Sequence, residues 1–285
     1  MRKTFLDKLP EDFVPRHQWP EYDILSASPA HLGPKLIGEN PKGMRWGLWP
    51  FYFEEYFSDK EPDMPLSRNS GRPQRRIVVW HRLTRKDVPH GWYQLSKKCS
   101  RMDGIAFISR DEDYTSSWSV GAQYDRRKWL RDFLNIKYKI EETSFPEFQE
   151  AYKKSSAAQK IGSMIINIVD RVAHGSKHEY MNIRCVRNSA TGEIVAGIAT
   201  ITSKTSMASY YLCGFLYSHV QSDPLMTGLF DDWFLRLQED GIKYVHMGYF
   251  WHPGKPKSWK GFSDFKAKFV TDYILHQPTL FRFAG

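Results

Sequence analysis

The sequence predicts a mixed α/β sheet, and three observations carry that prediction. Residues 180–217 read as two consecutive hairpins, an antiparallel meander. A capped, amphipathic helix follows over about 224–240, and a strand stands at 243–249. The order β-β-β-α-β, with its helix crossing over between strands, belongs to the α/β or α+β (mixed sheet) class.

Taken in order, residues 1–75 are proline-rich and hold aromatic clusters such as Trp46-Gly47-Leu48-Trp49-Pro50-Phe51-Tyr52-Phe53. They predict a segment that wraps a domain more than it forms one. The polar, turn-rich stretch Ser58–Gln74 reads as an exposed loop. Ile77-Val78-Val79-Trp80 and Gly104-Ile105-Ala106-Phe107-Ile108 are short β-prone runs bounded by polar residues, and Gly91–Arg101 between them is a helix or a loop. Tyr124–Leu134 reads as a basic helix and Lys137–Ile140 as a brief strand. Ser144, with Glu147 three residues on, predicts a capping box at the head of the next helix, with a break near Ser155-Ser156.

The meander strands are Tyr180–Arg187, Ile194–Ile201 and Met207–Tyr217, joined at Asn188–Gly192 and Lys204–Ser206. Asp223 and Pro224 predict an N-cap and a first-turn proline. Met226, Leu229, Phe230, Trp233 and Leu237 then recur at helical spacing, and Gly241 predicts a left-handed C-cap.

Composition narrows the function. Aromatic residues make up 15% of the 285, which argues for burial or binding and against disorder. The three cysteines are too widely spaced for a disulfide framework or a cysteine zinc site, and Cys185 and Cys213 read as small core residues. No stretch reaches the roughly 18 uninterrupted apolar residues of a membrane span, and the first residues lack the apolar core of a signal peptide. The expectation is a soluble, cytoplasmic protein, monomeric and without a metal. Its 41 Lys and Arg against 32 Asp and Glu leave a net charge of +9, which favours an anionic partner.

Common catalytic signatures are missing: no Walker A run, no G-x-G-x-x-G after a strand, no H-E-x-x-H, no G-x-S-x-G. The segment Trp251–Phe269 packs five lysines among five Trp and Phe residues. Lysines in a loop after a strand can hold phosphates or a developing oxyanion; the plainer alternative is a solvated loop anchored by its aromatics. His246 is a candidate general base or a packed strand histidine. A basic run from Arg75 to Arg101, including Arg76 and Arg82 and interleaved with Trp80, Trp92 and Tyr93, suits a nucleotide or RNA surface as well as it suits a charged solvent face.

Four segments carry a resemblance. Gly192–Gly197 enters a strand pair, and Tyr210-Tyr211-Leu212-Cys213-Gly214 continues it. Glu239–Gly248 runs from helix into strand, and Gly261–Phe269 ends in Phe265-Lys266-Ala267-Lys268-Phe269. Together they resemble the FemABX family, aminoacyl-tRNA-dependent peptidyltransferases built from tandem GNAT-like (acetyltransferase-fold) domains. Arg126–Lys154 resembles the start of that family's second domain. The resemblance covers roughly residues 100–275 and is most specific at Phe265-Lys266-x-x-Phe269.

It implies a GNAT-like acyltransferase fold, with 1–120 an N-terminal segment or reduced GNAT-like subdomain and 121–285 a C-terminal GNAT-like domain. It implies an aminoacyltransferase that moves an aminoacyl group from charged tRNA to an amine acceptor, a peptide or nucleotide-linked cell-wall precursor, with no cofactor beyond the tRNA donor. Lys266 is then the cation near the tRNA's terminal phosphate or the tetrahedral oxyanion, with His246 the second catalytic candidate. Lys260, Lys268, Tyr211, Trp251, Arg76 and Arg82 are the substrate-binding candidates. The Q/R-x-x-G-x-G/A loop that holds pyrophosphate in ordinary acetyltransferases is missing between Tyr217 and Thr227, which weakens the alternative of an acyl-CoA-dependent N-acyltransferase. A non-enzymatic RNA-binding protein is the remaining reading.

Overall fold

The computed structural model describes residues 4–22, 34–48, 51–63, 75–95, 101–161, 164–175, 178–253, 257 and 260–284. Parts of two expected loops, 64–74 and 254–256 with 258–259, lie outside the described residues. Five strands come first: β1 (Lys35–Ile37), β2 (Gly43–Leu48), β3 (Phe51–Phe57), β4 (Arg75–His81) and β5 (Tyr93–Gln94). There follow β6 (Arg101–Phe107), α1 (Val120–Asp132), β7 (Tyr138–Glu142), α2 (Phe145–Lys154), α3 (Ser156–Ile161) and α4 (Met164–Ala173). The meander is β8 (Met181–Asn188), β9 (Ile194–Ser203) and β10 (Ala208–Leu216), and the crossover is α5 (Leu225–Glu239) into β11 (Tyr244–Tyr249). The chain closes with α6 (Lys260–Lys266), β12 (Asp272–His276) and β13 (Leu280–Ala284).

These strands form two sheets: a six-stranded one ordered β1-β2-β3-β4-β13-β5, and a seven-stranded one ordered β12-β6-β11-β10-β9-β8-β7. The expected meander and crossover are both present, and β10–β11 is the one parallel pair in the larger sheet. Residue 120 does not coincide with a division between the sheets. β6 sits inside the larger sheet, and β13 returns from the C-terminus to pair with β4. Between β1 and β5 the described residues contain no α-helix.

Local chemistry explains the elements. Ser144 caps α2 by accepting from the Glu147 N–H at 3.4 Å, and its hydroxyl reaches the Glu147 carboxylate at 3.2 Å. Helix α5 stops in a Schellman turn: Ile242 N–H bonds Leu237 O, Gly241 N–H bonds Gln238 O, and Gly241 takes φ +70. At its head, the expected Asp223 cap is not made. The Asp223 carboxylate instead accepts from Tyr138 at 2.7 Å and Lys137 at 2.8 Å, tying the helix start to β7, and Pro224 occupies the N-cap position. A phenol and an ammonium are stronger donors to a carboxylate than a backbone amide, and both are within reach.

Helices α1, α5 and α6 lie on one face of the larger sheet, where Trp129, Phe230, Trp233, Phe234 and Phe269 are buried. α1 comes so close to α5 that a Cβ on Gly228 would sit 2.4 Å from the Trp129 ring. The opposite face, at its β10–β12 end, is covered by the N-terminal segment through Phe13, Trp19 and Tyr22 and by Leu83 from beyond β4.

Candidate active site

Strands β10 and β11 pair in parallel only through Ala208–Tyr244, Ser209–Val245 and Tyr210–His246. Beyond that point β10 runs on along β9 through a bulge at Tyr211–Cys213, while β11 bends away. The bend is a bulge too: His246 faces Ile105 of β6 and Tyr249 faces Asp103, three residues against two, with Gly248 at φ +71. Glycine is favoured there because an L side chain is strained at positive φ, and a Cβ would also approach the Tyr210 hydroxyl to 3.1 Å. The consequence is that Met247 and Tyr249 present their carbonyls where a continued β10 would have paired.

Lys266 fills that place. It is the last residue of α6, it is 5% exposed, and its Nζ donates to Met247 O at 2.6 Å and Tyr249 O at 2.7 Å. The rings of Phe250, Phe262 and Tyr211 surround the ammonium at 4.7, 5.1 and 5.7 Å from their centroids. No carboxylate of the described residues pairs with it directly. Burial therefore pulls the Lys266 pKa down to about 7, against a smaller upward pull from Asp103.

On the other face of the bulge lies a buried polar cluster. Asp103, 1% exposed, accepts from Arg101 Nε at 2.5 Å and has its other oxygen 3.1 Å from His276 Nε2 and 3.4 Å from His246 Nε2. Burial alone would raise this carboxyl, but Arg101 first and then His276 outweigh it, and its pKa lies well below the ordinary value. His246 Nδ1 accepts from the Gly248 N–H at 3.2 Å, which assigns the ring proton to Nε2, aimed at Asp103. Burial pushes His246 down to about 4, with Asp103 opposing, so the imidazole is neutral at pH 7. Arg101 stacks 3.8 Å from the Tyr249 ring centroid and donates to its hydroxyl at 2.9 Å, and the Tyr249 pKa is lowered chiefly by that guanidinium.

The structure thus brings Lys266, His246 and Tyr211 to one point, the divergence of β10 and β11. Trp251 lies just after it, its N–H bonded to the Ser263 hydroxyl of α6 at 2.7 Å. Lys260, at the other end of α6, is exposed and 6.0 Å from the Trp251 ring. Lys268 points away, 3.4 Å from Asp125 of α1. Lys266 itself ends helix α6. Arg76 and Arg82 are not at this point. Arg76 belongs to the six-stranded sheet, 3.8 Å from Glu54, and Arg82 is wholly buried, donating to Asp87 O and, at 2.8 Å, to Pro278 O. The basic run from Arg75 to Arg101 therefore makes no continuous exposed stripe among the described residues, because Arg82 and Arg101 are buried; Lys97 and Lys98 lie outside the described residues. Asp103 and Arg101 (the latter read only as the end of the basic run), His276, Tyr249 and Arg16 were not read from the sequence as members of one cluster. The alternation Arg101-x-Asp103-x-Ile105 at the head of an apolar run was the available signal for the first two.

A mixed sheet whose single parallel pair diverges, with a crossover helix between the two strands, defines a GNAT-like fold. No family model matches the chain, and no curated protein matches it. Solved structures do. The chain is similar to FemX, with a TM-score of 0.64 and 11% identity over 93% of each chain. It is similar to a conserved protein of unknown function from Bacteroides thetaiotaomicron, at TM-score 0.60 and 12% identity over 92% of this chain and 89% of that one. It is also similar to L-PGS from Bacillus licheniformis, at TM-score 0.53 and 12% identity over 89% and 86%. The fold is FemABX-like across nearly the whole chain.

Proposed function

We propose that this protein is an acyltransferase, and specifically one that passes an aminoacyl group from charged tRNA to an amine acceptor. The reading is supported by the FemABX-like fold, and the observation that carries it is the buried, carboxylate-free ammonium of Lys266 at the strand divergence. Attack of an amine on the aminoacyl ester puts negative charge on the carbonyl oxygen. A cation already desolvated and held by two carbonyls meets that charge without reorganising. A pKa near 7 also lets Lys266 take or release a proton at working pH. His246 acts through the backbone: its bond to the Gly248 N–H and to Asp103 holds the bulge that presents the two carbonyls. No helix among the described residues is long and apolar enough to cross a membrane; the reading places the reaction in the cytoplasm, where charged tRNA is available.

The test is Lys266→Gln, whose neutral amide still donates to the carbonyls. Transfer from a mixed aminoacyl-tRNA pool is expected to fall about 10²–10³-fold, with the melting curve retained. A folded Lys266→Gln protein of near-normal activity removes this residue from the site. In parallel, a melting temperature raised by acetyl-CoA and not by charged tRNA replaces the donor with a thioester, because a ligand stabilises the state it binds.

A further inference from the structure

An amine acceptor is an ammonium near neutrality and attacks an ester only after it has lost a proton. Lys266 cannot take that proton in the step where its ammonium meets the oxyanion. The other titratable groups at the divergence are mostly closed to a substrate. Asp103, His246, His276 and His17 are buried. His246 commits Nδ1 to the Gly248 N–H and Nε2 to Asp103, His276 turns Nε2 to Asp103, and His17 is stacked on Phe57 at 4.0 Å. Tyr210 and Tyr22 are buried too, with the Arg16 guanidinium 4.1 and 5.6 Å from their ring centroids.

Tyr249 differs. It ends β11 and is 44% exposed. Its carbonyl accepts from Lys266 Nζ at 2.7 Å, while its phenol oxygen accepts from Arg101 Nη1 at 2.9 Å on the polar side of the bulge. Arg16, in the short 3-10 turn Arg16–Gln18 laid across the larger sheet, bonds the same hydroxyl, its guanidinium 5.8 Å from the ring centroid. Both donors are cations, so both favour the phenolate over the phenol. Arg101 is the largest influence on Tyr249; burial of the ring and the Asp103 charge oppose it, and Arg16 adds to it. With His17, His246 and His276 held neutral by burial, Asp103 alone faces the two guanidiniums. A phenolate supplies the second negative charge.

We propose that Tyr249 is the general base of this site: its phenol oxygen takes the proton that the acceptor's ammonium must lose before it attacks. The role rests on the acyltransferase reading. An N–H bond of the ammonium breaks and an O–H bond forms on Tyr249. The freed lone pair bonds the ester carbonyl carbon, and the carbonyl pair moves onto the oxygen that Lys266 meets. The carbonyl then re-forms as the C–O bond to the ribose breaks. A second proton passes from the nitrogen to the ribose oxygen, and Tyr249 returns its own to solvent.

The test has two arms on the full chain. In the first, the ultraviolet absorbance of tyrosinate is followed against pH. One of the 15 tyrosines is expected to ionise below the ordinary value of about 10, and Tyr249→Phe is expected to lose that step alone. The variant keeps the ring that lies against Arg101; should it fail to fold, the wild-type titration still decides. In the second arm, charged tRNA is offered methylamine, which is protonated near neutrality, or hydroxylamine, which is largely not, each corrected for uncatalysed reaction. Tyr249→Phe is expected to slow transfer to methylamine about 10²-fold or more and transfer to hydroxylamine far less, because that amine has no proton to lose first. A side chain that only props the site would slow both alike. The proposal is overturned if no phenol ionises early, if Tyr249→Phe keeps the early step, or if both amines lose rate equally. An early Tyr249 phenol in a protein that moves nothing from charged tRNA sinks the acyltransferase reading and the base role with it. An ordinary phenol in a protein that does transfer sinks the base role alone.

Discussion

On one face of the seven-stranded sheet, α1, α5 and α6 bury an unbroken aromatic layer in which Phe230 touches Tyr211, Trp233, Phe265 and Phe269. On the other face of β6 and β11, a comparable depth of burial holds Arg101, Asp103, His246 and His276. The first arrangement is held by area removed from water, which needs no partner-by-partner matching. The second is stable only while each charge keeps its counterpart, and replacing such a group by apolar residues is often neutral or favourable. A chain that keeps both, one sheet apart, holds buried charge where apolar residues could have packed. Lys266 stands between them, rooted in the aromatic face and reaching the edge of the strand that carries the polar one.

The sharpest way to break this comparison is Asp103→Asn. It leaves Arg101 and Arg16 buried with no carboxylate, and the loss expected is about 3–5 kcal/mol of unfolding free energy, read by urea denaturation. A loss below about 1 kcal/mol would mean that solvent already screens the cluster, and the contrast between the faces would collapse.

Acidity sharpens it further, because burial shifts the histidines of the polar face and Lys266 in the same direction. His17, His246 and His276 are pushed down chiefly by burial, His246 to about 4. The unfolded chain takes up protons below about pH 6.5 that the folded chain refuses, so stability is lost as pH falls from there toward 4. The depressed Asp103 continues the loss at lower pH, since its contribution is present only while it stays ionised. Lys266, at about 7 instead of 10.5, works in the same sense at higher pH: between these values the unfolded chain holds a proton that the folded one has released. The melting temperature is expected to climb from pH 4 to 6.5 and again from 7 to about 9.5, and Lys266→Gln is expected to flatten the second climb alone. A melting temperature that falls between pH 7 and 9 would contradict the burial of that amine.

What the sequence made legible follows the same divide. The meander, the Ser144 capping box, the Schellman turn at Gly241 and the crossover are written in local spacing, and all stand in the structure. The polar face is not local. Arg16 arrives from a proline-flanked segment, His276 from a strand near the C-terminus, and Arg101 with Asp103 from the head of β6, where polar residues read as a strand boundary. Strands β12 and β13 add to two different sheets, and nothing in their short runs announces which. Lys266 was legible as a residue to watch through the Phe265-Lys266-x-x-Phe269 resemblance. That its ammonium would close the carbonyls of a bulge on another strand follows only from the three-dimensional packing.

The smallest expected effect makes the finest distinction, between two lysines two residues apart. Lys268 is partly exposed on the turn after α6, with Asp125 at 3.4 Å as its partner. An exposed pair of this kind contributes about 0.2–1 kcal/mol at most and weakens with salt. Its Nζ is aimed at α1 and not at the divergence of β10 and β11, so it cannot meet charge that develops there. Lys268→Ala is therefore expected to shift the melting temperature by no more than about 2 °C and to leave the acyl-transfer rate within about twofold of wild type, an energy difference below about 0.5 kcal/mol. A tenfold fall in rate for Lys268→Ala, with Lys266→Gln unaffected, would move the cation of the site from the buried lysine to the exposed one.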